Sequence, residues 1–344
     1  MDVPRNQTRE ELMNRREFLK TTAATALATG GIGANLAQAQ SKMVLKAADV
    51  HPLGYPTVEA VERLGKKLEA ATNGRLSVQM FPSMQLGGEK EMIEQAQVGA
   101  LQFARISTGP VGTIVDDLNV FNLPFVFRDI AHMRKVVDGP IGDELLKAIG
   151  DNPKTQLIGL AWMDSGARNF YNKVRDIKSV EDLKGLKIRM MGNPIFVDTM
   201  NALGGNGVAM GMDQVMNALQ TGVVDGAENN PPSYDSFGHV PVAKHYTLTE
   251  HLIIPELLVF SRKSFDAMSK DDQALILKFG RESQYEQRKL WDERVEVAMK
   301  KIRDQGINVI TIADKKPFQD AVKPVWDKYG AKYAALVKRI QDVK

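Results

Sequence analysis

Three polar groups fall where strand-like runs give way to loops. Arg168 stands in Gly166-Ala167-Arg168-Asn169, after an apolar run ending at Trp162. Arg189 follows Leu186-Lys187-Ile188, and Asn229 closes Asp225-Gly226-Ala227-Glu228-Asn229 after Val223-Val224. In α/β sheets the loops beyond the carboxyl ends of the strands line the binding crevice. Two arginines and an amide there would suit a carboxylate, because the planar guanidinium fork matches both carboxylate oxygens. Alternatively, each arginine caps a helix or pairs on the surface. The residues alone leave both readings open.

No catalytic constellation competes for attention. H-E-x-x-H, G-x-S-x-G and G-x-x-x-x-G-K-[ST] are all absent. Asp164-Ser165-Gly166 matches an aspartic-protease triplet, but no second such aspartate accompanies it. His239, His245 and His251 are spaced by six, which does not place them on one helical face as metal ligands, so they read as surface or structural histidines. The chain therefore nominates no catalytic residue, no metal and no cofactor.

The elements that must position these groups alternate in period. Met43–Ala48 is a β-type run, and Pro56 opens a helical pattern carried by Val58, Val61, Leu64 and Leu68 and stopped at Asn73-Gly74. Leu76, Val78 and Met80 alternate as a strand; a helix from about Glu89 to Gln97 ends at Gly99, before a strand over Leu101–Ile106. Further βα pairs at Leu157–Trp162, Leu186–Met190 with Ile195–Leu203, and Val208 with Gln214–Leu219 predict α/β layers with mainly parallel sheets. Asp271 to Asp304 predicts one long charged helix, and about Pro324 to Ile340 another. A length of 344 residues suggests two domains, yet no Gly/Ser- or Pro-rich linker separates them. The chain then crosses between domains more than once, forming a cleft with hinge strands where ligands commonly bind.

Composition narrows the class. Lys plus Arg number 45 against 42 Asp plus Glu, near balance, so there is no basic excess to serve nucleic acid. The absence of cysteine removes disulfides, Cys-ligated metals, thiol catalysis and a lipidated N-terminal cysteine. Residues 1–39 read as an export segment: Arg15-Arg16 before Phe18-Leu19-Lys20, a weakly apolar stretch from Thr21 to Leu36, and the cleavage pattern Ala37-Gln38-Ala39. The paired arginines resemble a twin-arginine signal cleaved after Ala39, which places the product in the periplasm. The segment has too few strongly apolar residues for a spanning helix of about 20.

From these residues outward the chain resembles the solute receptors of TRAP (tripartite ATP-independent periplasmic) transporters over roughly Lys46 to Lys338. The matching pieces run in the family's order: Phe81-Pro82-Ser83-Met84-Gln85-Leu86-Gly87-Gly88-Glu89, Leu123-Pro124-Phe125-Val126-Phe127, Gly166-Ala167-Arg168, Ser179–Arg189, and Ala218–Asn229. The resemblance implies an α/β, two-domain cleft fold of the periplasmic-binding-protein type, with hinge strands and a long domain-spanning helix. Domain I would take 40–165 and about 255–294, domain II 166–254 and about 295–323, with 324–344 a C-terminal helix. It implies binding without catalysis by a monomer that delivers an organic acid to TRAP membrane subunits. Arg189 matches the carboxylate clamp, Arg168 a second pocket arginine, Asn229 the pocket amide and Glu89 the position that bonds the distal end of the ligand. His51, Arg105 and Ser107 fall where pocket-lining residues usually stand. One departure is Gly211-Met212-Asp213-Gln214, where a Pro, an aromatic and a Glu are expected; the missing aromatic implies a roomier or reshaped wall.

An ionised Glu89 would repel a second carboxylate yet accept hydrogen bonds from sugar hydroxyls, which favours a hydroxylated monocarboxylate. Arg105 could neutralise Glu89 or hold a second acid. Asp49-Val50-His51-Pro52 with Gly54-Tyr55-Pro56-Thr57, and Glu228-Asn229-Asn230, resemble the receptors of hexuronates, so D-glucuronate or D-galacturonate leads over a C4-dicarboxylate or another small hydroxy or keto acid. A hydrolase on the same fold and a receptor for a signalling complex are the competing classes.

Overall fold

The computed structural model describes residues 42–344, and the export segment expected at 1–39 lies outside them. Eleven strands are present in the described residues: β1 (Met43–Ala48), β2 (Leu76–Phe81), β3 (Phe103–Ser107), β4 (Leu157–Met163), β5 (Ala167–Asn172), β6 (Lys187–Met190), β7 (Asn206–Ala209), β8 (Gly226–Asn229), β9 (His245–Ile253), β10 (Glu256–Ser261) and β11 (Val309–Thr311). They form two sheets, ordered β2-β1-β3-β10-β4 and β11-β9-β5-β8-β6-β7. Each sheet carries one lobe, with helices over its faces.

Both sheets are mixed rather than mainly parallel. β10 is antiparallel to β3 and β4, and β5 is antiparallel to β8 and β9. The crossings explain this. The chain leaves the first sheet through β4 into β5 and returns through β9 into β10, with only three and two residues between the strands. An outgoing and a returning strand that lie side by side must run in opposite directions.

A third connection is the helix Lys270–Asp304, whose 35 residues span about 52 Å. The Ser269 side chain caps its start, acids fill its first turn and Lys301 and Arg303 its last, the arrangement the helix dipole favours. Ile276 and Phe279 pack in the outer core of the first lobe and Ile302 in that of the second, so the helix braces both. Midway, the Gln287 side chain accepts from the Asp164 backbone N–H at 2.8 Å and donates to its carbonyl at 3.0 Å, satisfying the crossing segment where strand pairing ends.

Two sequence expectations shift. Val223-Val224 is not a strand: Val223 is exposed, and the strand is β8, where Gly226 lies so close to β5 that a Cβ there would sit 2.2 Å from the Tyr171 carbonyl oxygen. The single helix expected from Pro324 is two, Lys323–Tyr329 and Ala334–Asp342, joined by a 3₁₀ turn over Gly330–Tyr333. That break lets Val325, Tyr333 and Ile340 all bury against one core. Among the described residues no helix is long and apolar enough to cross a membrane.

Candidate functional site

All seven nominated residues — Arg189, Arg168, Asn229, Glu89, His51, Arg105 and Ser107 — line one cavity of about 690 Å³ between the sheets. Its two walls differ in charge.

The first wall is built around Arg105, which projects from β3 and is only 1% exposed. Its Nη2 donates to Asp49 Oδ1 at 2.8 Å and its Nη1 to Glu89 Oε1 at 2.9 Å, while Nη1 also meets Glu256 Oε2. One guanidinium thus serves three carboxylates. Burial would raise the Asp49 carboxyl, but Arg105 and His51 hold it well below the usual range. Burial raises Glu89 instead: Arg105 lowers it only in part, and Glu256 adds to the rise. Ser107 Oγ lies 3.0 Å from Glu89 Oε1 and 2.9 Å from Glu256 Oε2, so a single hydroxyl hydrogen stands between two acids. The loop before Glu89 explains its placement. Ser83 and Met84 both adopt left-handed φ, and their N–H groups donate to the carbonyls of His51 and Asp49, which fixes where the Glu89–Val98 helix begins.

The second wall is basic. Arg168 lies within β5, inside the strand and not in a loop, and pairs with Glu228 on neighbouring β8: Nη2 donates to Oε1 at 2.8 Å, and Nε bonds Oε2. Burial opposes its charge, but Glu228 holds the guanidinium above its ordinary value. Arg168 Nη1 also donates to Asn229 Oδ1 at 3.1 Å, and the Asn230 N–H takes the same oxygen at 2.9 Å. Asn229 therefore keeps its amide hydrogens for the cavity. Arg189, in β6, differs from both other arginines. Nε donates to the Met210 carbonyl at 2.8 Å, Nη1 is buried with no partner, and no carboxylate pairs with it among the described residues. Burial pulls its guanidinium below the ordinary arginine value, with Glu228 opposing and Arg168 reinforcing the shift. The expected pair of clamping arginines is thus one arginine already neutralised and one free.

Contacts join the walls. His51 Nε2 lies 3.2 Å from Ser233 Oγ, Tyr55 Oη 2.9 Å from the same hydroxyl, and the His51 ring stacks on Tyr55 at 3.7 Å. On another side, Asn193 Nδ2 donates to the Gly109 carbonyl and to Asn119 Oδ1, both at 2.9 Å. Glu256, Ser233 and Tyr55 were not nominated from sequence. A lone acid opening the apolar run Glu256-Leu257-Leu258-Val259-Phe260 is the available signal for Glu256, and Tyr55 lies in the Gly54-Tyr55-Pro56-Thr57 segment that carries the hexuronate resemblance; Ser233 offers none.

The three spaced histidines separate. His251 is buried and stacks on Phe170, His239 is buried against the Tyr171 hydroxyl, and half-exposed His245 pairs with Asp176. Among the described residues no group of three His, Asp or Glu side chains is arranged to hold a metal.

A model of bacterial extracellular solute-binding protein, family 7 (DctP), matches residues 47–332. A TRAP periplasmic solute-binding protein from Pseudomonas putida F1 with bound D-glucuronate is 52% identical and superposes with a TM-score of 0.85 over 88% of this chain and 98% of its own. A second, from Bradyrhizobium sp. btai1 b in complex with D-galacturonate, is 48% identical at a TM-score of 0.84, covering 87% of this chain and all of its own. The third, from Citrobacter koseri, is known in two states. With bound D-glucuronate it matches at 48% identity and a TM-score of 0.86 over 88% of this chain and all of its own. Its open apo form, at 46% identity over 87% of this chain and 98% of its own, drops to 0.77. The present structure is nearer the ligand-bound shape, in keeping with the bonds between its walls.

Proposed function

The chain belongs to the DctP family, bacterial extracellular solute-binding protein family 7, and on that premise we propose that it is a TRAP solute receptor for a hexuronate, D-glucuronate or D-galacturonate. The observation that carries this reading is Arg189, a buried guanidinium with an unpaired Nη1 in a cavity whose opposite wall is acidic. A ligand carboxylate supplies the missing partner bidentately, and the site gains charge-assisted hydrogen bonds that it does not make alone. Asn229 donates to a ligand oxygen, and the ring hydroxyls donate to Glu89.

A C4-dicarboxylate fits less well, because its second carboxylate would meet the acids around Arg105, whose one charge is already shared three ways. Binding occurs without turnover. The open form takes the acid on one wall and closes through the strand crossings, and the closed form docks on the TRAP membrane subunits. The receptor works in the periplasm as a monomer, exported by residues 1–39.

A thermal-shift screen of uronates, C4-dicarboxylates and small hydroxy or keto acids tests the reading. Stabilisation by D-glucuronate or D-galacturonate above all others is the expected result. A strong response to succinate or malate with the uronates silent would reverse the assignment, and consumption of the bound sugar acid over hours would make the protein an enzyme.

A further inference from the structure

The buried charged groups around the cavity hold one more acid than base, and a bound sugar acid adds another. Arg105, Arg168 and Arg189 face Asp49, Glu89, Glu228 and Glu256, while His51 is kept neutral by burial and the Arg105 charge. Rim charges add nothing positive, since Lys90 stands with Glu91, Glu94 and Asp213. Arg168 and Glu228 cancel on the second wall. What remains is one unpaired cation, Arg189, opposite Arg105 with three acids. A uronate carboxylate consumes the Arg189 charge and leaves the acidic wall with Arg105 as the one buried counterion for three acids.

The acidic wall has an atom ready for one. All three hydrogen bonds that Glu89 accepts go to Oε1, from Arg105 Nη1, the Ser107 N–H and Ser107 Oγ. Among the described residues Oε2 accepts none, and the side chain keeps 14% of its surface open in the cavity that it lines. The acid cluster does not stand alone as an indication of a ligand, because Arg189 Nη1, buried and unpartnered, lines the same cavity from the other side. The two features are complementary ends of one site.

We propose that this cleft also takes zwitterionic sugar acids, hexuronates bearing a primary ammonium on a ring carbon remote from the carboxylate, with the carboxylate on Arg189 and the ammonium on Glu89 Oε2. The inference rests on the uronate reading and extends it to a second ligand class. An ammonium in this position replaces a hydroxyl as donor and supplies the missing positive charge in a low-dielectric site, where pairing a buried charge matters most. The segment Gly211-Met212-Asp213-Gln214 lines the same cavity and brings Asp213, with no aromatic ring, close to Gly88 beside Glu89.

Isothermal titration calorimetry of the purified protein at neutral pH decides it, with D-glucuronate, its 2-amino-2-deoxy and 3-amino-3-deoxy analogues, and the N-acetyl form of each. At least one free amine should bind as tightly as D-glucuronate, and its N-acetyl form, which keeps the carboxylate but has an uncharged amide nitrogen, at least about tenfold more weakly. In Glu89→Gln, checked for native folding by circular dichroism, the ratio of amine to D-glucuronate affinity should fall about tenfold relative to the wild type. Tight D-glucuronate binding with both amines more than about tenfold weaker would overturn the proposal and leave the uronate reading intact. An unchanged ratio in Glu89→Gln would also overturn it, by placing the ammonium elsewhere. Failure of D-glucuronate itself to bind would remove both.

Discussion

Arg189 donates its Nε to the Met210 carbonyl at 2.8 Å, and that backbone contact is the one hydrogen bond its guanidinium makes among the described residues. The bond orients the group without neutralising it. Arg168 and Arg105, equally buried, are both held by carboxylates. The protein thus carries a preoriented, desolvated cation whose best partner is supplied from outside.

Arg189→Ala should remove a charged, hydrogen-bonded partner from the bound ligand, at a cost of roughly 2–5 kcal/mol of binding free energy. Without ligand the same variant should melt at or above the wild-type temperature, because it deletes a buried charge that the native state leaves unpaired. Calorimetry and thermal melts read the two effects separately. Retained affinity would place the clamp elsewhere.

Glu228→Ala should act in the opposite way. It strands Arg168 as an uncompensated buried cation, a loss of about 3–5 kcal/mol in unfolding free energy. Glu228→Gln, which keeps an acceptor oxygen, should lose less. Urea unfolding of the ligand-free protein measures both, and an Ala variant within about 0.5 kcal/mol of wild type would refute the pairing as a stabilising element.

Asn193 separates closure from folding. Its Oδ1 accepts from the Ile195 N–H at the start of a helix, while its Nδ2 makes both contacts across the cleft. Asn193→Asp keeps the acceptor and loses the two donors. Each hydrogen bond contributes about 1 kcal/mol, so ligand dissociation should speed up by about fivefold to thirtyfold with little change in unligated stability. Stopped-flow displacement tests this, and an unchanged off-rate would show that these contacts do not hold the closed form.

Acid should weaken the fold in two stages. Burial lowers His239 to about 4 and moves His51, His132 and His251 in the same direction, so below pH 6.5 the unfolded chain takes up protons that the native state refuses. Stability then falls with pH by up to about 1.4 kcal/mol per unit for each such histidine. Asp49 contributes below 3.8, where its depressed carboxyl stabilises only while ionised. Denaturant melts between pH 7 and 4 should show the first slope, and His239→Gln should flatten it. A stability independent of pH over that range would contradict the burial of these rings.

The local pattern determined a good deal. Pro56, the apolar spacing through Leu68 and the stop at Asn73-Gly74 predicted a helix that spans Pro56–Ala71. The predicted 271–304 helix is Lys270–Asp304, because a capped, charged segment with sparse apolar positions is a local property of the chain. Residue order also supplied the family resemblance, and with it the seven residues now found around one cavity. Strand direction was not legible: whether neighbours run parallel depends on which lobe the chain has crossed into, and β4 and β10 meet across 92 intervening residues. Nor could sequence place β8, whose backbone is fixed by contact with Tyr171 on another strand. Above all, the residue types alone offered Arg168 and Arg189 alike, and only the family resemblance singled out Arg189 as the clamp. Only tertiary packing brought Glu228 to one and a bare carbonyl to the other, and a buried charge's chemistry is set by the partners that burial leaves within reach.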